Sequence, residues 1–574
     1  MESRALLCLM KGDKGMADYV RASDKTYNTT RFNNYREIIN SSYEKFPQRT
    51  AFQIKAPGGK YVYITYKELW ERYYKLCNVF IEMGLRGKRI AVIGKNSFEW
   101  SLSYLCASTV GCVVPLDKEI HTDDIKNFVE AADCQAICYG DYFARTLLAE
   151  LPSNVRQLSF TDVFNASTPD SQTFTETVDS IEFPKDQTQV LIFTSGTTGS
   201  AKGVCLSQYN ICSNIYSTVQ VVKIHPTDVT LSILPLHHTY ECTLNLLLLL
   251  SRGTKITYCG GLTKIQKNLE EYHPSILVVV PALLSVLDKR IRKAVTKSVP
   301  SRYKEYFETL SLAQALNKLP FFLRTMVKNR VRATLGGKMR LFIVGAAELD
   351  TTLVEDFEAL GIETLQGYGL TECAPLVAGN SDFNQKMDST GKVMPGNEMK
   401  LINVNDEGVG EIITRGDNIM LGYFNDPDAT AKVLVDGWFH TGDLGYIDDQ
   451  GWLYIKGRIK NVIVTNNGKN IYPEELEHRL MDYPEVKECI VTGARDKDGK
   501  QVVKVKILPD KDVVAEALGH QPDKDELEKA VKDIVGAVND EMPGYKAMKV
   551  IQVLDKELEK TTTAKIMRYG SNIE

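Results

Sequence analysis

Residues 190–206 read VLIFTSGTTGSAKGVCL: an apolar run, Val190-Leu191-Ile192-Phe193, a polar loop, and an apolar exit, Val204-Cys205-Leu206. The loop is Thr194, Ser195, Gly196, Thr197, Thr198, Gly199, Ser200, Ala201, Lys202 and Gly203, and nothing in it builds a core. Such residues form a flexible linker, or they wrap N–H groups, hydroxyls and one cation around a polyphosphate. The lysine inside the loop and the apolar flanks favour the phosphate cradle. The Walker A pattern GxxxxGK[ST] is the obvious competitor. Counted from Gly196, it needs Gly at 201 and Ser or Thr at 203, where the chain has Ala201 and Gly203. This loop is not a Walker A loop.

Upstream of the loop, apolar runs alternate with helical patterns. Lys88 to Gly94 reads as a buried strand, helical periodicity follows through Trp100 and Leu105, and Cys112 to Leu116 reads as a second strand. Downstream, Ile276 to Val280 and Met339 to Gly345 continue the alternation, which predicts parallel-sheet α/β architecture. Beyond about residue 390 short runs and turns, Asn405-Asp406-Glu407-Gly408 and Asp448-Asp449-Gln450-Gly451, predict hairpins. From about 458 a compact α+β pattern follows: a strand at Asn461 to Thr465, a helix from Pro473 and a strand at Val502 to Leu508. The domain boundary is placed at Lys456 to Lys460, giving segments 1–457 and 458–574.

The chain has 574 residues, too many for one core, with 43% apolar residues, 25% charged residues and a net charge of −4. That balance gives no reason to expect nucleic acid as a partner. The twelve cysteines include no CxxC pair, so reduced cytosolic thiols are expected rather than a disulfide framework or zinc site. No run approaches the roughly 18 apolar residues of a membrane span; Leu244 to Leu250 and Ile276 to Leu287 read as buried strand or helix. The apolar core of the first fifteen residues is too short for a signal peptide, and Met16 offers an alternative start.

One segment differs in charge. Between Lys289 and Arg340 lie fourteen Lys/Arg and two acids, a net of +12, with apolar residues interleaved as in Leu316 to Arg324. It reads as a solvated helical insert, or as an amphipathic surface for anionic headgroups or a polyphosphate.

Four further motifs are each ambiguous alone. Gln366-Gly367-Tyr368-Gly369-Leu370-Thr371-Glu372 is a tight turn, or a tyrosine stacked on a purine beside groups for phosphate and Mg²⁺. His440-Thr441-Gly442-Asp443 is an Asx-turn, or a carboxylate for ribose hydroxyls. Gly457-Arg458-Ile459-Lys460 is a solvated pair, or a charged fork at the domain junction. Lys565, in Lys560 to Ile566, is a solvated terminal lysine or a reagent in a small-residue loop.

Taken in this order and spacing, the motifs resemble the adenylate-forming superfamily of acyl-CoA synthetases, luciferases and peptide-synthetase adenylation domains, over roughly residues 30 to 570. Within it the chain looks most like a long-chain fatty acyl-CoA synthetase, on Leu234 to Glu241, Gly345 to Leu349 and Val464 to Glu475. The resemblance implies a large N-terminal domain of two parallel-sheet α/β subdomains plus a small β-barrel-like subdomain, and a small mobile α+β C-terminal domain. It implies an enzyme that joins a medium- to long-chain fatty acid to AMP with release of pyrophosphate, then passes the acyl group to the CoA thiol. ATP, Mg²⁺ and CoA are the implied cofactors and co-substrate. A carrier-protein pantetheine is the alternative acceptor.

The residue roles follow by resemblance. Thr194, Ser195, Gly196, Thr197, Thr198, Gly199 and Lys202 would hold the β- and γ-phosphates, with Glu372 and Thr194 at Mg²⁺. Thr371 would contact the α-phosphate; Ala347 and Tyr368 would border the adenine, with Gln366, Gly367 and Gly369 also binding the nucleotide; Asp443 and Arg458 would grip the ribose. His238 would lie beside the reacting carboxylate, and Lys565 would bridge carboxylate and α-phosphate. Lys460 occupies the hinge position and Gly468 would face pantetheine. Ala564 stands where the superfamily often has Gly, a less permissive residue should a positive φ be needed. A cytoplasmic protein is expected, with the basic segment offering contact to the inner membrane face; a dimer is left open.

Overall fold

The computed structural model describes the chain except residues 1–19, 22–24, 57, 121, 144–150, 170–175, 195–201, 466–468, 498, 561–565, 569 and 574. A seven-stranded sheet runs in the order Gly422–Tyr423, Lys202–Leu206, Val190–Thr194, Cys112–Leu116, Arg89–Ile93, Cys134–Tyr139, Arg156–Ser159. Its central pairs are parallel, while Val190–Thr194 and Lys202–Leu206 pair antiparallel with Thr194 opposite Lys202. A strand–loop–helix phosphate loop would have sent the chain into a helix. Here it returns along the same sheet.

A second, nine-stranded sheet carries Glu363–Gly369, Leu341–Val344, Ile276–Val279, Val229–Ser232, Lys255–Tyr258 and Thr50–Lys55 in parallel, with antiparallel edges. Its inner strands are near-continuous Ile, Leu and Val because both faces are covered. Helix Phe98–Val110 joins the two sheets, with twelve of its thirteen residues buried. It packs on the first sheet, while the Phe98 ring meets Phe52 at 5.2 Å and Ser101 Oγ lies 2.7 Å from Tyr258 Oη of the second.

A six-stranded antiparallel sheet follows, built on Trp438–Ile447 with Gly410–Arg415 and Leu453–Arg458 as neighbours. Asp448 to Gly451 makes one of its expected turns: Gly451 has φ 82°, and Trp452 N–H and Gln450 N–H both donate to Asp448 Oδ1. The last unit has its own core, in which Leu476, Leu480, Val491, Val505, Ile507 and Val535 are fully buried. Its helix Pro473–Met481 starts on a proline, whose missing N–H belongs to the unsatisfied first turn.

The basic segment is more than a solvated insert. Helices Pro281–Ser298, Lys304–Thr309, Leu312–Lys318 and Phe321–Thr334 share a core with the second sheet through Leu284, Ile291, Leu316, Val327 and Phe342. Among the described residues no helix is long and apolar enough to cross a membrane, and no cluster of three or more His, Cys, Asp or Glu side chains could hold a metal ion. The eleven described cysteines are unbridged.

Candidate active site

The candidate site lies where the carboxyl ends of the second sheet's parallel strands meet the other two sheets, the usual place for a ligand in an open α/β sheet. Strand Glu363–Gly369 delivers Gln366 to Gly369 and runs into the short turn Thr371–Cys373, which presents Thr371 and Glu372. Gln366 is buried and its carbonyl accepts from Asn380 N–H at 2.8 Å. A Cβ on Gly367 would meet Leu376 Cδ1 at 2.6 Å, and one on Gly369 would fall onto the Pro375 carbonyl. The glycines around Tyr368 therefore let two backbone segments touch. Gly369→Ala would overpack backbone that cannot rotate away, with an expected loss of about 1–3 kcal/mol, read as a lowered midpoint in denaturant unfolding; an unchanged midpoint would show that the segments can separate.

Tyr368 is joined to the antiparallel sheet. Its hydroxyl donates to Asp443 Oδ2 at 2.7 Å, and Arg458 Nε donates to Asp443 Oδ1 at 2.7 Å. Asp443 and Arg458 are directly opposite on neighbouring strands, so the ladder itself sets their distance. Burial disfavours the Arg458 charge, but Asp443, Tyr368 and Glu372 outweigh it and hold the guanidinium above its ordinary value. Burial, then Asp443, pushes the Tyr368 hydroxyl well up, so it stays protonated and a donor.

Glu372 is joined to the first sheet through a residue that sequence reasoning missed. Tyr423 donates to Glu372 Oε1 at 2.9 Å, and Lys202 Nζ stands over the Tyr423 ring, 4.7 Å from its centroid. Tyr423 sits on the edge strand that pairs with Lys202–Leu206. Met420 N–H donates to the Glu372 carbonyl at 2.8 Å, tying the same segment to the turn. Only the strand pairing gives Tyr423 this place, and its Gly-Tyr-Phe context carries no signal of its own. Thr194 donates from Oγ1 to the Lys202 carbonyl at 3.3 Å, across the mouth of the loop.

His238 has a different setting. It caps the start of the helical run Thr239 to Ser251, its ring 4.3 Å from that of His237, whose Nε2 lies 3.7 Å from Asp117 Oδ2. Burial, partly opposed by Asp117, lowers His238; burial, His238 and Lys118 lower His237 further, so both imidazoles are neutral at neutral pH. Behind them is a second feature invisible in the sequence. Glu241 is fully buried, its Oε1 accepting from Ser232 Oγ at 2.6 Å and Asn245 Nδ2 at 2.7 Å, while Oε2 has no partner among the described residues. Ser232 Oγ also accepts from Asn96, which holds Leu234 and Leu236 of the loop leading to the histidines.

Ala347 is exposed after strand Leu341–Val344, and Lys460 is exposed in the turn Ile459–Asn461. Next to Lys460, a Cβ on Gly457 (φ 147°) would stand 2.5 Å from Glu474 Oε2, while Asn461 Nδ2 donates to Glu474 Oε1 at 2.7 Å. Ser195, Gly196, Thr197, Thr198, Gly199, Gly468 and Lys565 lie outside the described residues. The structure thus links Thr194, Lys202, Tyr368, Glu372, Asp443 and Arg458 across three sheets.

The family of AMP-binding enzymes matches residues 39–424, and the C-terminal domain of AMP-binding enzymes matches residues 475–565. The chain belongs to this adenylate-forming family. Long-chain-fatty-acid–CoA ligase ACSBG1 of Rattus norvegicus is 29% identical over 480 residues, which cover 75% of this chain and 66% of that ligase. Feruloyl-CoA synthase of an Amycolatopsis species is 27% identical over 517 residues, 88% of this chain and 92% of that one. Among solved structures, ATP-bound MatB from Rhodopseudomonas palustris shares the fold at a TM-score of 0.72 and 23% identity, covering 93% of this AMP-binding chain and 97% of that one.

Proposed function

We propose that this AMP-binding enzyme is an ATP-dependent acid–thiol ligase that activates a medium- to long-chain fatty acid as its acyl adenylate and transfers the acyl group to CoA. A carboxylate resists attack by a thiol because it is anionic and lacks a good leaving group. Forming the mixed anhydride with AMP supplies the leaving group. It also brings like charges within about 4 Å, at about 4 kcal/mol per unit-charge pair for an effective dielectric near 20. The observation that carries the reading is the lattice just described, which gathers groups suited to relieve that repulsion.

In this reading Lys202 and the loop from Thr194 to Gly199 meet the β- and γ-phosphates, and Thr371 meets the α-phosphate. Tyr368 and Ala347 border the adenine, with Gln366, Gly367 and Gly369 also binding the nucleotide. Asp443 accepts from the ribose hydroxyls while Arg458 pairs with it. The donor set suits Mg²⁺: a hard cation takes oxygen ligands, Tyr423 engages only Oε1 of Glu372, and Oε2 has no protein donor among the described residues. When bound, Mg²⁺ would neutralise phosphate charge at Glu372 and Thr194. Neutral His238 would donate to the carboxylate without adding charge, Lys565 would bridge carboxylate and α-phosphate, Lys460 would be the pivot, and Gly468 would face pantetheine.

The fatty-acid assignment draws on the ligases named above and on the wholly buried apolar run Leu246 to Leu250 beyond His238. Its test is product formation from a series running from butyrate to arachidate, with ferulate as the aromatic control and either CoA or a holo carrier protein as acceptor. The expected result is acyl-CoA formation that peaks at medium to long chains. A peak on ferulate would overturn the substrate, and acyl transfer only to carrier protein would overturn the acceptor.

A further inference from the structure

From the helical segment 289–340 we infer that the tip of helix Phe321–Thr334 docks this protein on an anionic lipid bilayer. The helix buries Leu323, Val327 and Val331, one residue per turn, against the core beneath it. On its outer side, Phe321 is 82% exposed, Phe322 67% and Met326 46%, the three together at the amino-terminal end just after Pro320. Single exposed apolar residues are ordinary. Two adjacent phenylalanines and a methionine one turn on, left outside a core with space for other side chains of the same helix, form a patch that marks an interaction surface. A helix lying at a membrane interface puts Phe among the acyl chains and Lys or Arg among the headgroups.

The surrounding charge selects the partner. The patch stands within a segment of net charge +12 in a chain of net −4. Exposed Lys318 precedes the tip, and Lys328 and exposed Arg330 follow Met326 along the helix. The helix itself has no acid in its fourteen residues; the segment's two acids, Glu305 and Glu308, lie on the separate helix Lys304–Thr309. A protein partner or a second copy would leave these cations facing a chain with no compensating acidic patch specified. An anionic headgroup layer compensates them wherever they land. No helix of the described residues spans a bilayer, so the contact is peripheral.

The test is co-sedimentation of the full chain with vesicles of phosphatidylcholine containing about one third phosphatidylserine, against pure phosphatidylcholine vesicles. Binding is expected to the anionic vesicles only, and to weaken as salt is raised. F321S/F322S/M326S and K318E/K328E/R330E are each expected to lower the partition coefficient by at least about tenfold. Both should keep the wild-type melting temperature, because none of the substituted side chains is buried. Failure of the wild type to bind would overturn the proposal, as would undiminished binding by both variants. Absence of vesicle binding combined with a wild-type dimer and a monomeric F321S/F322S/M326S variant, by light scattering, would overturn it in favour of a second copy.

Discussion

Asp443→Ala is expected to lower kcat/KM for ATP by on the order of a hundredfold, measured by ATP–pyrophosphate exchange with the preferred acid. Asp443 is 4% exposed and accepts from both the Tyr368 hydroxyl and Arg458 Nε. Removing it leaves the Arg458 guanidinium without its counter-charge beside the proposed nucleotide site. Breaking a fully buried ion pair costs about 3–5 kcal/mol, and the Arg458 side chain, a third exposed, places this one at or below the lower end. In the proposed reading the same substitution removes the ribose acceptor, so the nucleotide term suffers while KM for the acid changes little. Asp443→Asn keeps an oxygen for Tyr368 but turns an amide donor toward Arg458, and it should lie between the two. A change of less than about threefold in Asp443→Ala would remove this carboxylate from the nucleotide site.

Glu241→Gln is expected to raise the unfolding midpoint at alkaline pH, with a gap over wild type that closes as pH falls. Burial pushes the Glu241 carboxyl up to about 8, against which its bonds from Ser232, Asn245 and the Ile233 backbone act only partly. The unfolded chain ionises this group near its ordinary value of about 4.3. Between those limits the folded state binds the proton more tightly, so wild-type stability falls as pH rises through the window and levels off above it. Gln imitates the protonated acid and does not titrate. The gap should therefore grow by on the order of 2–3 kcal/mol between about pH 6 and pH 8, and the full difference is about 3–5 kcal/mol. Parallel pH profiles of the two proteins would show that Glu241 is ionised in the fold, its second oxygen satisfied.

Much of the architecture is legible in the sequence because its causes are local. Strand Cys112–Leu116 and helix Pro473–Met481 follow from a short apolar run and from a proline before a helical stripe. Segment Ile276 to Leu287 is harder, since an apolar run interrupted by Pro281 suits either a strand or a helix. The fold uses it as both, with strand Ile276–Val279 followed by a helix from Pro281. The basic stretch misled in a different way. Its charge is counted along the chain, whereas its core is buried by residues three and four apart that face a sheet formed elsewhere.

The site divides along the same line. From the sequence alone came the loop at 194–203, its failure as a Walker A loop, and the order of the Tyr368, Glu372, Asp443 and Arg458 motifs, because each is a contiguous string of residue types. Only the tertiary structure decided which of these side chains meet. The Tyr368–Asp443–Arg458 contacts depend on a parallel sheet ending against an antiparallel one, and the Lys202–Tyr423–Glu372 contacts on an edge strand that carries no motif. The buried Glu241 and the exposed Phe321 and Phe322 were likewise set by packing. Burial is a property of what surrounds a residue, and the neighbours that bury or expose these three are brought there by the fold.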